Sequence, residues 1–243
     1  MELPVARDIE KAFVLAAGLG TRMRPLTDTI PKPLVTLAGR PLLDHVLDRL
    51  ETAGITEAIV NVHYMADQIE AHLRERRHPR IVFSDERQQL QETGGGVRKA
   101  LPMLGTAPFI VHNSDTVWLE HATSNLQRLI AMFDPTRMDG LLLLAQRSES
   151  LGYAGHGDFT LDAEARLARR EAGKSVDLVF AGASIATPNL MRETPDGPFS
   201  LNLVWDRAMA EKRLFGLILD GTWMHVGDPA ARTDAETLLA RSR

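Results

Sequence analysis

The sequence contains no cysteine. That excludes disulfides, thiolate catalysis and cysteine-ligated zinc, and it fits a reducing compartment. Positive charge is not in excess. Lys and Arg number 28 against 32 Asp and Glu, giving a formal net charge of −4 and a pI near 6.1. A nucleic-acid-binding surface is thereby disfavoured as the main activity, although a local cationic pocket for a small anion needs no basic protein. Long apolar runs are also missing. The N-terminal stretch "MELPVARDIEKAFVLAAG" has charges followed by only a few apolar residues, and elsewhere the longest run, Leu141 to Ala145, has the length of a strand. Neither reads as a secretory signal or a membrane span, so the expectation is a cytoplasmic protein with no membrane partner. No linker rich in Gly, Ser or Pro divides the 243 residues, and no internal repeat is visible, hexapeptide periodicity included. The eight histidines show no His-x-His or His-Glu-x-x-His metal spacing.

What is present is an alternation of short apolar runs with amphipathic, helix-period stretches. Strands are expected at 12–16, 58–62, 80–84 and 108–115, and helices at 41–54, 66–76 and 96–104. Pro41 opens the first helix and Gly54 closes it. This βαβ rhythm predicts an α/β fold: a Rossmann-like, mostly parallel mixed sheet with helices on both faces. From about residue 139 the pattern changes to strands at 140–145, 177–186 and 214–220 and helices at 203–213 and 229–243. A hairpin lies within 157–170 and turns near Ala163–Glu164. These read as additions to the same sheet plus an antiparallel lid, within one domain over 1–243. Leu203, Val204 and Trp205 read as helix core.

Ligands in such sheets bind at the carboxyl ends of the strands, and two loops at those ends carry unusual residues. The first follows Ala16: "GLGTRMRPLTDTIPKPL" (18–34) places two glycines, then Arg22, Arg24 and Lys32, along a proline-stiffened loop. Backbone N–H groups in a glycine turn after a strand can converge on phosphate oxygens. The segment lacks the Gly-Lys-Ser/Thr of a P-loop, and Met23 stands where a dinucleotide fingerprint has its third glycine. Taken alone, Gly18-x-Gly20 is equally a tight turn with solvated arginines.

Its continuation decides between them. Gly18-Leu19-Gly20-Thr21-Arg22-Met23-Arg24-Pro25-Leu26-Thr27, followed by Pro31-Lys32-Pro33-Leu34, resembles the N-terminal motif of the sugar-phosphate nucleotidyltransferases. The resemblance implies that Ala17, Gly18, Leu19, Gly20, Thr21, Arg22 and Met23 contact the nucleotide. It gives Arg22 the outgoing pyrophosphate and Lys32 the α-phosphate, roles that suit a reaction driven by positioning and charge stabilisation. In "LQETGGGVRKAL" (90–101) the corresponding segment contacts the base, which makes Glu92, Thr93 and Gly94 candidate readers. A flexible turn before a helix is the other reading. "ETGGG" with "ALPMLG" is most similar to the N-acetylmuramic acid 1-phosphate uridylyltransferases, a branch of the family.

The second loop, "VHNSD" (111–115), ends a strand in Asn113, Ser114 and Asp115. Asn113 falls at the nucleotide by the resemblance, and Asp115 suits Mg²⁺, which takes few protein carboxylates beside phosphate oxygens. Relatives commonly present a second metal-binding Asp in a W-x-D-x-G segment. Here "TWMHVGDP" (222–229) has His225 instead, a ligand better suited to Mn²⁺ than to Mg²⁺. Three possibilities stay open: His225 ligates metal, His225 contacts phosphate, or Asp228 substitutes for it, unless Asp228 caps the last helix. On the acceptor side, "GHGDFTL" (155–161) resembles the sugar-contacting segment, with Asp158 accepting hydroxyl hydrogen bonds. Gly182 in a strand marks either a ligand's close approach or a bulge.

The resemblance therefore implies a catalytic set of Arg22, Lys32 and Asp115, a metal pair of Asp115 and His225, and sugar contacts from Asp158 and Gly182. About 1–138 would bind the nucleotide, while about 139–243, including the lid, would bind the sugar. The implied activity couples UTP to N-acetylmuramic acid 1-phosphate, or a related amino-sugar 1-phosphate, in cell-wall sugar recycling, by a monomer or small homo-oligomer. Mannose-1-phosphate guanylyltransferase, phosphocholine cytidylyltransferase and a non-catalytic nucleotide sensor are the alternatives.

Overall fold

Brief apolar runs form strands and the 3.6-period stretches between them form helices in the computed structural model, which describes residues 9–241. The first half contains β1 (Lys11–Leu15), β2 (Thr36–Leu37), β3 (Arg40–Pro41), α1 (Leu42–Thr52), β4 (Glu57–Val62), α2 (Ala66–Leu73), β5 (Arg80–Asp85), α3 (Glu92–Leu104) and β6 (Phe109–Asn113). Then come β7 (Thr116–Glu120), α4 (Asn125–Met132), β8 (Gly140–Gln146), β9 (Phe159–Leu161), β10 (Leu167–Arg169) and β11 (Leu178–Ala186). The chain closes with α5 (Leu201–Ala210), β12 (Leu214–Ile218), β13 (Gly221–His225) and α6 (Pro229–Arg241). Residues 1–8, part of the stretch read above for a signal or span, and the last two residues of the expected C-terminal helix lie outside the described residues. Among those described, no helix is long and apolar enough to cross a membrane.

Nine strands form one sheet, in the order β10-β9-β11-β6-β1-β4-β5, with β8 pairing β11 and β12 pairing β8. Strands β6, β1, β4 and β5 are mutually parallel. The antiparallel additions enter through β11, which pairs β6, β8 and β9. The β9–β10 hairpin turns where expected: Asp162 Oδ1 accepts from the N–H of Glu164 and of Arg166. Its strands continue the sheet edge through Leu178↔Phe159.

Alternation along β1 divides the core. Ala12 and Val14 pack with α1, α2 and α4 on one face, whereas Phe13 packs with α3 and α5 on the other. Helix α1 ends as Pro41 and Gly54 suggest, with Gly54 at φ +92° and the Ile55 N–H returning to Leu50 O. A third cluster joins Met23, Val35 and Leu37 to Val117, Met224 and Ala235. Three details differ from expectation. Helix α3 begins at Glu92 and absorbs the glycine run. Leu203 is exposed, while Val204 and Trp205 are core. Strands β7 and β13, which pair with each other in a separate two-stranded ribbon, and helix α4 were not visible in the sequence pattern.

The crevice that this topology creates lies between β1 and β6, where chain order reverses. Leu15 is in register with Asn113.

Candidate active site

Past Leu15 the chain leaves the sheet, and its N–H groups divide into two sets. Those of Ala16 and Ala17 donate to Asn61 Oδ1, at 2.6 and 3.2 Å, from the end of β4. Those of residues 18–22 donate to no described acceptor, so a concave run of unpaired donors faces outward, the arrangement that takes anions. Gly20 has φ +63°, and a Cβ there would lie 3.0 Å from Lys32 Cβ. Only glycine allows both that turn and the lysine passing beneath it. Thr27 Oγ1 donates to Gly20 O, and Tyr64 Oη donates to Thr27 O, at 2.8 and 2.9 Å. Met23 anchors the loop from below, fully buried in the third cluster.

Lys32 and Asp115 meet at the mouth of this loop. Lys32 Nζ is 2.6 Å from Asp115 Oδ2, with the side chains 11 % and 25 % exposed. Burial opposes ionisation of Asp115, but the Lys32 charge and hydrogen bond hold its carboxyl below the usual range. Two cavities share these residues. One, of about 230 Å³, is lined by Ala17, Gly18, Asn61, Glu92, Thr93 and Asn113 among others. The second, of about 280 Å³, runs along residues 18–23. Gly18, Gly20, Lys32 and Asp115 border both. Arg22 is exposed and forms no ion pair among the described residues.

His225 arrives from the far end of the chain. Strand β13 pairs with β7 in the register His225↔Thr116, which sets the imidazole beside Asp115. Burial, followed by the charges of Lys32 and Arg22, lowers its pKa against the pull of Asp115, so the ring is held neutral. Neither ring nitrogen has a hydrogen-bond partner among the described residues. Gly227 leaves room for the ring, since a Cβ there would stand 2.6 Å from His225 Nε2. Asp228 caps α6 through the Ala231 N–H at 2.9 Å, which leaves the other two possibilities for His225. Among the described residues no three His, Asp or Glu side chains gather as a metal cage. One carboxylate and one neutral imidazole beside a phosphate-accepting loop nonetheless fit a divalent cation that draws its remaining oxygens from a ligand.

The glycine run behaves differently from the expectation that a base lies against it. Glu92 and Thr93 line the first cavity, with Glu92 at φ +58°. Gly94 does not. Its N–H donates to Phe199 O at 2.8 Å, and a Cβ would lie 2.4 Å from the Phe199 ring. The segment 197–199 occupies that face, so Gly94 is a packing glycine. Gly182 is likewise explained from within. It has φ +88° at the shift in the β11–β8 register, and its Cβ would lie 2.3 Å from Thr116 Oγ1. The bulge reading holds there.

Asp158 uses one oxygen on the Phe180 N–H at 3.0 Å. Tyr153 bridges its neighbourhood to His225, the two rings edge-on at 6.3 Å. Burial, then the Asp158 carboxylate, raises the Tyr153 hydroxyl pKa. Beneath the β6 end, fully buried His112 stacks on Trp118 at 5.3 Å, and its Nδ1–H donates to Asn113 O. Burial first, then the Arg49 charge, pushes its pKa down to about 3, so it is neutral. Asn61, Tyr153 and the buried Glu86 were missed in the sequence. A lone polar residue inside the otherwise apolar strand "AIVNV" was the one signal for Asn61.

Comparison with known proteins fits this geometry. A profile described as the MobA-like NTP transferase domain matches residues 12–176. The N-acetylmuramate alpha-1-phosphate uridylyltransferase of Caulobacter vibrioides is 50 % identical over 235 residues, 95 % of this chain and 97 % of that one. The protein of the same name from Neisseria meningitidis is 35 % identical, over 94 % of this chain and 97 % of that one. In fold, a UDP-glucose pyrophosphorylase solved with UDP-glucose superposes with a TM-score of 0.79 at 18 % identity, covering 97 % of this chain and all of that one.

Proposed function

Because the chain belongs to the MobA-like NTP transferase family, we propose that it is a uridylyltransferase joining UTP to N-acetylmuramic acid 1-phosphate, with UDP-sugar and pyrophosphate as products. The observation that carries this reading is the meeting of the Lys32–Asp115 pair with the unpaired N–H groups of residues 18–22 where the two cavities join. The full-length likeness to the Caulobacter and Neisseria uridylyltransferases supports the choice of nucleotide and acceptor.

In this reading the part up to about residue 138 binds the nucleotide and the remainder the sugar. Glu92, Thr93 and Asn113 surround the nucleoside, while Asn61, with both ends of its amide committed to the protein, holds the loop behind them. The loop N–H groups and Arg22 take the β- and γ-phosphates, and Lys32 lies at the α-phosphate. An oxygen of the sugar phosphate attacks the α-phosphorus in line. The new P–O bond forms as the bond to the β-phosphate bridging oxygen breaks, and pyrophosphate leaves against Arg22. No side chain removes a proton, since a phosphate monoester with a second pKa of about 6 is largely dianionic at neutral pH. Asp115 and His225 would hold a divalent cation, Mg²⁺ or, favoured by the imidazole, Mn²⁺; when bound it neutralises phosphate charge. Asp158, beyond Tyr153, is assigned to the acceptor sugar.

Pyrophosphate release from UTP and N-acetylmuramic acid 1-phosphate, measured in Mg²⁺ and then in Mn²⁺, tests this. Release is expected in both, with Mn²⁺ at least as effective. Silence in both, with turnover of another nucleotide and sugar 1-phosphate, would discard the substrates and keep the reaction.

A further inference from the structure

Glu86 is a carboxylate with 0 % exposure and no ion pair among the described residues. Its two oxygens are nevertheless committed. Oε1 accepts from Asn61 Nδ2 at 2.9 Å, and Oε2 accepts from the Gln91 N–H at 3.0 Å. Burying such a group without a counter-charge is costly, and apolar residues of similar size would usually serve packing as well or better. Asn61, 2 % exposed, holds the Ala16 and Ala17 N–H groups with its other end. The two side chains form one chain of hydrogen bonds, from the start of the phosphate loop, through Asn61 and Glu86, to the backbone just before Glu92 and Thr93. Both ends of the first cavity are joined through it.

The pattern is also directional. A carboxylate accepts at both oxygens, whereas an amide accepts at one end and donates at the other. Glu86 therefore obliges Asn61 to turn its NH₂ toward β5 and its carbonyl oxygen toward the loop. That orientation ties down the N–H groups of Ala16 and Ala17 and leaves the unpaired donors to begin at Gly18. Gly96 completes the arrangement. A Cβ there would lie 3.0 Å from Glu86 Oε1 and 3.2 Å from Asn61 Nδ2, so a side chain would press on both members.

On the reading of the first cavity as the nucleotide end, we propose that Glu86 is a positioning residue, which sets the phosphate loop and the base-side wall for the nucleotide by dictating the orientation of Asn61. It touches no substrate, so its effect falls on the nucleotide and spares the sugar phosphate.

The test uses the whole enzyme and three variants. In Glu86→Gln the new amide keeps one acceptor for the Gln91 N–H and opposes its NH₂ to that of Asn61, which drives Asn61 to flip. The expected result is a KM for UTP raised about tenfold or more, with the KM for the sugar 1-phosphate within about twofold of wild type. The double variant Glu86→Gln with Asn61→Asp restores every donor–acceptor match with the chemistry exchanged, and should return the KM for UTP to within about threefold of wild type. Equal changes in both KM values, or no rescue by the folded double variant, would overturn the proposal. Should either variant not fold, Gly96→Ala adds one methyl against the pair and favours the helix; a KM for UTP raised about threefold is expected, and an unchanged one overturns the proposal. Wild type is assayed first with UTP, CTP, GTP and ATP. Use of a base other than uracil overturns the substrate assignment alone, and that nucleotide then serves as the probe for the pair.

Discussion

Two glycine-rich segments at one end of the sheet look alike on paper and do opposite things. At Gly18 a side chain would meet nothing within 4 Å, and the following N–H groups are unpaired. At Gly94, Gly95 and Gly96 the missing Cβ positions are occupied by the Phe199 ring, Gly197 O and the Glu86–Asn61 pair, at 2.4, 2.5 and 3.0 Å. The first segment keeps space for a ligand, and the second is filled by the protein. A glycine thus signals a close approach without saying of what. The difference also explains how the halves of the chain are locked together. Thr93 Oγ1 accepts from the Leu201 N–H at 2.9 Å, and Gly94 bonds Phe199, so the segment entering α5 packs behind the Thr93 side of the first cavity.

Breaking the open side should cost activity, and breaking the filled side should cost stability. Lys32→Met, at the mouth of the open loop, should lower kcat/KM for pyrophosphate release by about 10²–10³. A loss under tenfold would remove Lys32 from the chemistry. Gly94→Ala should destabilise the fold by about 1–3 kcal/mol, read as a lower melting temperature, because the methyl group overlaps the Phe199 ring. If the protein instead melts unchanged and loses UTP affinity, Gly94 faces the ligand after all.

The buried floor under both segments adds a pH dependence. His112 has its pKa depressed from 6.5 to about 3 by burial and the Arg49 charge. Its contribution is fully present above pH 6.5 and is lost progressively as the pH falls toward 3, because the unfolded chain takes up the proton first. About 2 kcal/mol should be gone by pH 5. Denaturant midpoints between pH 7 and 5 read this, and His112→Gln should flatten that slope. The smallest effect is expected at Gly18→Ala. Its melting temperature should equal wild type or rise slightly, while UTP binding weakens by about 1 kcal/mol, roughly fivefold. A clear fall in melting temperature would show that this loop, too, is filled by protein.

Much of this was legible beforehand, and the residues that were not share a cause. The strand–helix rhythm, the loop after Ala16, Lys32 between prolines and Asp115 at a strand end are local patterns, carried by periodicity, turn chemistry and a contiguous motif. Asn61, within β4, and Glu86, one residue past the end of β5, stand 25 residues apart and become partners only through the parallel β4–β5 register. His225 reaches Asp115 because β13 pairs with β7 across about a hundred intervening residues; the motif resemblance of 222–229 named the pair, but no periodicity or spacing in this sequence encodes it. Gly94 and Gly182 announced a close approach in the sequence, while the identity of what approaches, Phe199 in one case and Thr116 in the other, came from packing. Backbone preference and side-chain chemistry are properties of a few consecutive residues and can be read along the chain. Which donor meets which acceptor, and whether a gap is filled, depends on the register of strands far apart in sequence, which exists only once the sheet has formed.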